Sequence, residues 1–204
     1  MTLFESDTAE WRELLPTDGS ARYRPGFLTP TSSTDAFRAL MAEVPWESRS
    51  ITLFGRQVPQ PRLACWFGDE SYSYSGITLD PRPWSPLLTG LKSTVEGATG
   101  QVFNSVLVNL YRDGNDSMGW HADDEPELGP EPVIASVSLG RTRRFRLRHR
   151  ETRDIVEIDL ESGSLLVMSG LSQARWMHEV PKSKRIVEPR INLTFRRVFP
   201  DLRR

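Results

Sequence analysis

Cysteine is almost missing from this 204-residue sequence. Cys65 stands alone, which excludes an internal disulfide framework and any zinc site built on cysteine. Histidine is nearly as scarce, so imidazole chemistry has only His121, His149 and His178 to draw on. No apolar run approaches the ~20 residues of a membrane span. The opening MTLFESDTAEWREL is acidic where a secretion signal would be basic and then apolar. These absences predict a soluble protein of a reducing compartment, without a membrane partner, cytoplasmic by default and nuclear in a eukaryote; a monomer is expected. Net charge is also close to nil, with 26 Lys and Arg against 27 Asp and Glu, and 38% of residues are hydrophobic. Disordered chains are poorer in apolar residues and more lopsided in charge, so one folded domain is expected.

Charge is nonetheless patterned. Seven acids and no Lys or Arg lie between Asp113 and Glu131, whereas six arginines and no acid lie between Arg141 and Arg150. Eight further basic residues follow from Lys182 to Arg204. An acidic stretch beside two basic ones suits a cation site next to a polyanion-binding surface, although solvated loops and strand faces give the same pattern.

Residues 1–25 are polar, carry Pro16, Gly19 and Pro25, and read as an irregular N-terminal arm ahead of a domain at 26–204. Ser32, Ser33, Thr34 and Asp35 offer caps for a helix with Phe37, Leu40, Met41 and Val44 as its apolar stripe, ended by Pro45. Ile51 to Phe54 reads as a short strand, and the stretch from Gly55 to Ser75, with Pro59 and Pro61, as loop and hairpin. A second helix starts at Ser85 and Pro86 and is closed by Gly97 and Gly100. Beyond Gly100 the hydrophobic period changes from 3.6 to 2, and six short strands follow, the last at Arg190–Val198. The expected fold is α+β, an antiparallel barrel or jelly roll with helices packed on one face.

Gly119-Trp120-His121-Ala122-Asp123 contains His-x-Asp, and in an extended chain residues i and i+2 project to one face. An imidazole and a carboxylate so placed can take two neighbouring positions on a metal ion, with His178 as a third ligand from a distant strand. Two His and one carboxylate make the facial triad of non-haem Fe(II) oxygenases. Taken alone the spacing also fits a hydrogen-bonded histidine near a turn. In Arg190-Ile191-Asn192-Leu193-Thr194-Phe195-Arg196, the residues Arg190, Asn192, Thr194 and Arg196 share one strand face and the apolar residues the other. The two arginines lie roughly 20 Å apart at strand rise. Leaning inward, their guanidinium forks could grip the two ends of a short dicarboxylate. Asn109 and Tyr111 share a face on another strand and could add neutral donors. Arg144, Arg146 and Arg148 read as a basic strand face that either meets phosphates or simply faces water. His149 reads as a surface strand residue.

Together these elements resemble the AlkB family of Fe(II)- and 2-oxoglutarate-dependent dioxygenases. The resemblance rests on Asn109-Leu110-Tyr111 with Asp113-Gly114, on His121-Ala122-Asp123, on His178 and on the string from Arg190 to Arg196, in family order. It covers roughly Ile51 to Val198. Leu53-Phe54-Gly55, Tyr72-Ser73-Tyr74-Ser75-Gly76, Asp123-Asp124-Glu125 and Lys182-Ser183-Lys184-Arg185 are most similar to the members that repair alkylated duplex DNA.

The resemblance implies a double-stranded β-helix (jelly roll) with its core at about 102–198 and a substrate-recognition part at about 51–84. It implies Fe(II) on His121, Asp123 and His178, with O2 and 2-oxoglutarate as cosubstrates. Arg190, Asn109 and Tyr111 would hold the distal carboxylate of 2-oxoglutarate, and Arg196, Asn192 and Thr194 would support the end that chelates iron. Tyr72, Tyr74 and Asp124 would line the base pocket, Phe54 would fill the gap left by a flipped base, and Gly55, Arg56 and Ser73 would lie along the substrate. Lys182, Lys184 and Arg185 would meet phosphates. The implied reaction is oxidative demethylation of N-alkylated DNA bases such as 1-methyladenine and 3-methylcytosine, releasing formaldehyde. These lesions are cationic, and aromatic faces with a carboxylate favour a cation over a neutral base. Double-stranded DNA is favoured, with single strands also a substrate. The alternatives are an oxygenase of the same kind acting on RNA or a protein side chain, and a non-enzymatic nucleic-acid-binding jelly roll.

Overall fold

The computed structural model describes residues 10–53, 56–74 and 77–202, with side chains except at 49, 51–53, 56–59, 72–74 and 77–79. Most of the chain is antiparallel strand. An eight-stranded sheet holds β1 (Arg12–Glu13), β2 (Ser20–Arg24), β3 (Glu47–Leu53), β4 (Arg56–Gly68), β7 (Ser105–Tyr111), β9 (Ile134–Gly140), β12 (Ser164–Ser169) and β14 (Arg190–Arg196). Their spatial order is β1-β2-β12-β9-β14-β7-β4-β3. A four-stranded sheet of β8 (Met118–His121), β10 (Arg143–His149), β11 (Ile155–Leu160) and β13 (Trp176–Val180) runs in the order β11-β10-β13-β8. The hairpin β5 (Tyr72–Tyr74) and β6 (Ile77–Leu79) pairs by itself.

The period-2 pattern of β14 explains how these layers stack. Ile191, Leu193 and Phe195 join one core cluster with Leu88, Leu91 and Val95 of helix α2 (Pro86–Thr99) and with Ala36 and Leu40 of helix α1 (Pro30–Glu43). Fully burying each such side chain is worth about 1.5–3 kcal/mol, which commits this face of the large sheet to the helices. The opposite face turns to a second cluster in which Leu107 and Tyr111 of β7 meet Phe145 and Leu147 of β10. Every residue of β7 and β14 is buried, because helices cover one side and the small sheet the other. The chain thus adopts a jelly roll with its helices on one face.

Local signals set α2 as read: Ser85 Oγ accepts from Leu88 N, Pro86 opens the helix, and Gly100 closes it at φ 68° in the left-handed region. Gly97 lies inside it. For α1 the cap is Thr29, whose Oγ1 accepts from Ser32 N, rather than the Ser32–Asp35 run, because Pro30 is well placed at the first helical position.

Two expectations need correction. Residues 1–25 are not an irregular arm throughout: β2 pairs with β12 (Leu166 with Tyr23), and Ala21 and Tyr23 are buried. Their apolar content is low, so only the neighbouring strand reveals them. The stretch expected to be loop and hairpin before Ser75 is largely the 13-residue strand β4. Pro59 and Pro61 argue against a strand there, but pairing with β7 begins only at Leu63, so neither removes a donor from that ladder.

Candidate metal centre and cosubstrate cavity

Between the two sheets lies a cavity of about 740 Å³, walled by the polar face of β14, by β7 and β4, and by β8, β10 and β13. At one end His121 and His178 face each other across the β8–β13 pair, with ring centroids 4.2 Å apart. Asp123 follows two residues after the end of β8, and the ligand atoms of His121, Asp123 and His178 all lie within 4.8 Å of one another. Gly119 O lies 2.8 Å from His121 Nδ1, which assigns the proton to Nδ1 and leaves Nε2 as the donor atom. His178 stacks on Phe145 at 5.4 Å.

Electrostatics keep the three groups in the forms a divalent metal needs. Burial pushes the His178 imidazole down to about 3, helped by His121 and opposed by Asp123. Burial likewise lowers His121, against the pull of Asp123. For Asp123, burial is the largest influence and would raise the carboxyl, but the Arg196 guanidinium together with His178 and His121 outweighs it and holds the group at about 2. Arg196 Nη2 donates to Asp123 Oδ1 at 2.8 Å. Both imidazoles are therefore neutral and the carboxylate charged at neutral pH.

At the other end of the cavity Arg190 is fully buried. Its Nη2 donates to Ser138 Oγ at 2.8 Å and its guanidinium sits 5.2 Å from the Tyr111 ring centroid. Nε and Nη1 have no hydrogen-bond partner among the described residues. Burial depresses this guanidinium to about 10, with Tyr111 supporting the charge and nearby Arg143 opposing it. A buried cation with two unpaired donors is costly unless an anion meets it. The β14–β7 register sets Arg190 opposite Tyr111 and Asn192 opposite Asn109, so all four project into one cavity. Asn192 donates to Ser136 Oγ at 2.7 Å, and Thr194 donates to Asn192 Oδ1 at 3.0 Å. The donor set fits iron at one end and a carboxylate at the other.

Of the residues expected along the substrate, Phe54 and Gly55 lie outside the described residues, and Arg56, Tyr72, Ser73 and Tyr74 are placed only by backbone, in β4 and β5. Asp124 does not line the cavity: it is exposed and pairs with Arg150 at 3.0 Å, while Glu125 lines the wall instead. The chain leaves β8 before Asp124, so strand alternation no longer predicts its direction. Lys182 sits at the cavity wall, and Lys184 and Arg185 are exposed on the same loop. That loop is pinned to the turn at Gly114 by Gly114 N to Ile186 O and Ser183 N to Gly114 O, each 2.8 Å. A Cβ at Gly114 would collide with the Ser183 carbonyl, so only glycine permits the approach.

Arg144 and Arg146 are already paired, the first with Glu157 and Asp159 of β11 and the second with Glu157 and Glu179. Arg148 lies 4.2 Å over the Trp120 ring. His149 is buried rather than on the surface: its Nδ1 accepts from Glu151 N and Thr152 N, and its ring meets Trp176 edge-on. Three participants are absent from the sequence reading. Arg62 donates from Nε to Asn109 Oδ1 at 2.7 Å and lines the cavity. Arg143 is buried and donates to the carbonyls of Asp113, Asp116 and Pro181. Gln173 accepts from Asp123 N at 2.9 Å. Alternation puts Arg143 on the inward face with Phe145 and Leu147, a signal that was available; Arg62 and Gln173 carry none.

The comparisons with known proteins agree with this geometry. A family model described as "2OG-Fe(II) oxygenase superfamily" matches residues 20–196. Human "Alpha-ketoglutarate-dependent dioxygenase alkB homolog 3" is 46% identical over 189 residues, which cover 88% of this chain and 66% of that protein. This chain thus spans about two thirds of that relative's length. Mouse "DNA oxidative demethylase ALKBH2" is 39% identical over 204 residues, covering 94% of this chain and 85% of that protein. A solved structure described as "The structure of OsALKBH1" superposes with a TM-score of 0.64 at 17% identity, covering 91% of this chain and all of the other, and supports the fold alone. With a model matched over most of its length and relatives of this identity, the chain belongs to the AlkB branch of the 2OG-Fe(II) oxygenase superfamily.

Proposed function

We propose that the protein is an Fe(II)- and 2-oxoglutarate-dependent dioxygenase that demethylates N-alkylated bases in DNA. The observation that carries this reading is one cavity joining a His121, Asp123 and His178 cluster to a buried Arg190 with two unpaired donors. The DNA demethylase name of the ALKBH2 relative supports the substrate class. Bound there, Fe(II) with 2-oxoglutarate and O2 supplies oxidation of an N-methyl group to a hemiaminal that breaks down to formaldehyde and the repaired base, with succinate and CO2 as coproducts.

The chain's own residues bind and orient. His121 Nε2, His178 and one oxygen of Asp123 would hold the metal, while Arg196 donates to Asp123 Oδ1. Arg190 pairs with the distal carboxylate of 2-oxoglutarate, oriented by Ser138 and flanked by Tyr111 and Asn109. Asn192 and Thr194 set the polar floor between the two ends. Glu125, rather than Asp124, is the carboxylate on the cavity wall that favours a cationic methylated base over a neutral one. Residues 51–84 form the substrate-recognition part, where Tyr72 and Tyr74 flank the flipped base, Phe54 fills the opened stack, and Gly55, Arg56 and Ser73 contact the substrate. Lys182, Lys184 and Arg185 take phosphates, positioning the duplex without reading its sequence. The protein acts as a monomer, with double-stranded DNA favoured.

The test is anaerobic loading with Fe(II) and 2-oxoglutarate, then air, with a duplex carrying one 1-methyladenine. Formaldehyde in step with restored adenine, absent without iron, is the expected result. Succinate without repair would move the substrate to RNA or protein, and no product of either kind would leave a nucleic-acid-binding jelly roll.

A further inference from the structure

We propose that Gln173 is a positioning residue for Asp123, fixing the backbone of the loop that carries this ligand and setting its distance from His178. The inference rests on the metal reading of that triad. Gln173 lies in α3, the single turn Ser172–Arg175 that runs directly into β13. It is 1% exposed, in a setting where a leucine or methionine would fill the same space without a polar group to satisfy. Its amide is used: Oε1 accepts from Asp123 N at 2.9 Å, and Nε2 lies 3.5 Å from Met168 Sδ, on the cavity wall, and 3.5 Å from Ser172 Oγ.

The β8–β13 ladder explains why this bond is needed. Pairing reaches His121 opposite His178, and β8 ends there, so the Asp123 N–H lies beyond the last rung. Gln173 supplies the acceptor that the ladder no longer offers. Asp123 is then held at two points, its backbone by Gln173 and its carboxylate by Arg196. Because Gln173 precedes His178 by five residues on one continuous segment, the bond ties two metal ligands from separate strands into one frame. Outer-shell partners of this kind typically change metal affinity by about 10–100-fold when removed.

Anaerobic titration of the full chain with Co(II), read by its visible absorption, tests this without turnover. Gln173→Met keeps length and burial but removes the acceptor. It is expected to weaken Co(II) binding by about 10–100-fold and to shift the spectrum. Amide exchange at Asp123 should quicken in the same variant. Gln173→Glu keeps the acceptor oxygen and should bind within a few-fold of the wild type. Wild-type affinity and spectrum in Gln173→Met would overturn the proposal, as would equal loss in both variants. If Gln173→Met does not fold, loss of Co(II) binding by folded Gln173→Glu overturns it alone. A wild-type chain that binds no Co(II) would instead bring down the metal reading.

Discussion

Arg196 reaches across from β14 to hold one carboxylate oxygen of Asp123 at 2.8 Å, with both side chains less than a tenth exposed. One ligand of the candidate metal centre is therefore oriented by the same strand face that presents Arg190 to the far end of the cavity. Register along β14 couples the two halves of the site: a slip of one residue would turn both arginines into the helical layer.

This pairing separates two substitutions at Asp123. Asp123→Asn leaves an oxygen for Arg196 but removes the ligand charge, so it should abolish iron-dependent turnover while the fold persists. Asp123→Ala also withdraws the carboxylate from a buried guanidinium, and breaking a buried pair costs about 3–5 kcal/mol. Urea denaturation of the two metal-free variants should show the larger loss for alanine. Retained methyl removal by either would refute the ligand assignment.

Arg190→Met should separate binding from stability. Loss of two charge-assisted hydrogen bonds, at about 1.5–3 kcal/mol each, predicts a 2-oxoglutarate KM at least about 100-fold higher. Turnover at saturating cosubstrate should fall far less. The metal-free fold should be as stable as the wild type or more so, because a buried charge with unpaired donors is gone. Unchanged 2-oxoglutarate affinity in direct titration would remove Arg190 from the site.

Acid should destabilise the metal-free protein early. His178 stays neutral in the fold down to about 3, whereas its ordinary value is 6.5, so the unfolded chain binds a proton first as pH falls. Its contribution is complete above 6.5 and is lost progressively down to about 3. Asp123 adds loss in the same direction between 3.8 and about 2. The urea midpoint should therefore drop between about pH 7 and about pH 4.5, and a flat midpoint across that range would contradict the buried neutral imidazole.

The proposed phosphate contacts of the Lys182–Arg185 loop can be tested separately from the arginine-rich face of β10. Each of Lys182→Ala, Lys184→Ala and Arg185→Ala should lower the salt slope of duplex binding by about 0.9 for every phosphate left without its cation. Arg144→Ala should leave the slope unchanged, since Glu157 and Asp159 already neutralise that side chain. A large change for Arg144 with none for the loop would place the duplex on the other sheet.

Phe54→Ala addresses the other side of the substrate. Activity on duplex DNA should fall much more than activity on single strands, because only the duplex has a stack to be held open. Equal loss on both would disfavour the wedge.

Local chemistry and strand periodicity made much of the site readable in advance. His121 and Asp123 are two residues apart, and the alternation along β14 sorted Arg190, Asn192, Thr194 and Arg196 from Ile191, Leu193 and Phe195. Ser85, Pro86 and Gly100 bounded α2 because capping depends on a few adjacent atoms. Strand period tells which side chains share a face but not which face is covered. Helices α1 and α2 on one side and the small sheet on the other decided that the polar face of β14 looks into a cavity rather than into water. Pairing across more than fifty residues brought His178 beside His121, and long-range folding set Arg62 and Gln173 against Asn109 and Asp123. The exit of the chain from β8 sent Asp124 to Arg150 and left Glu125 on the wall. Those outcomes depend on distant segments meeting, which happens only once the two sheets have closed on each other.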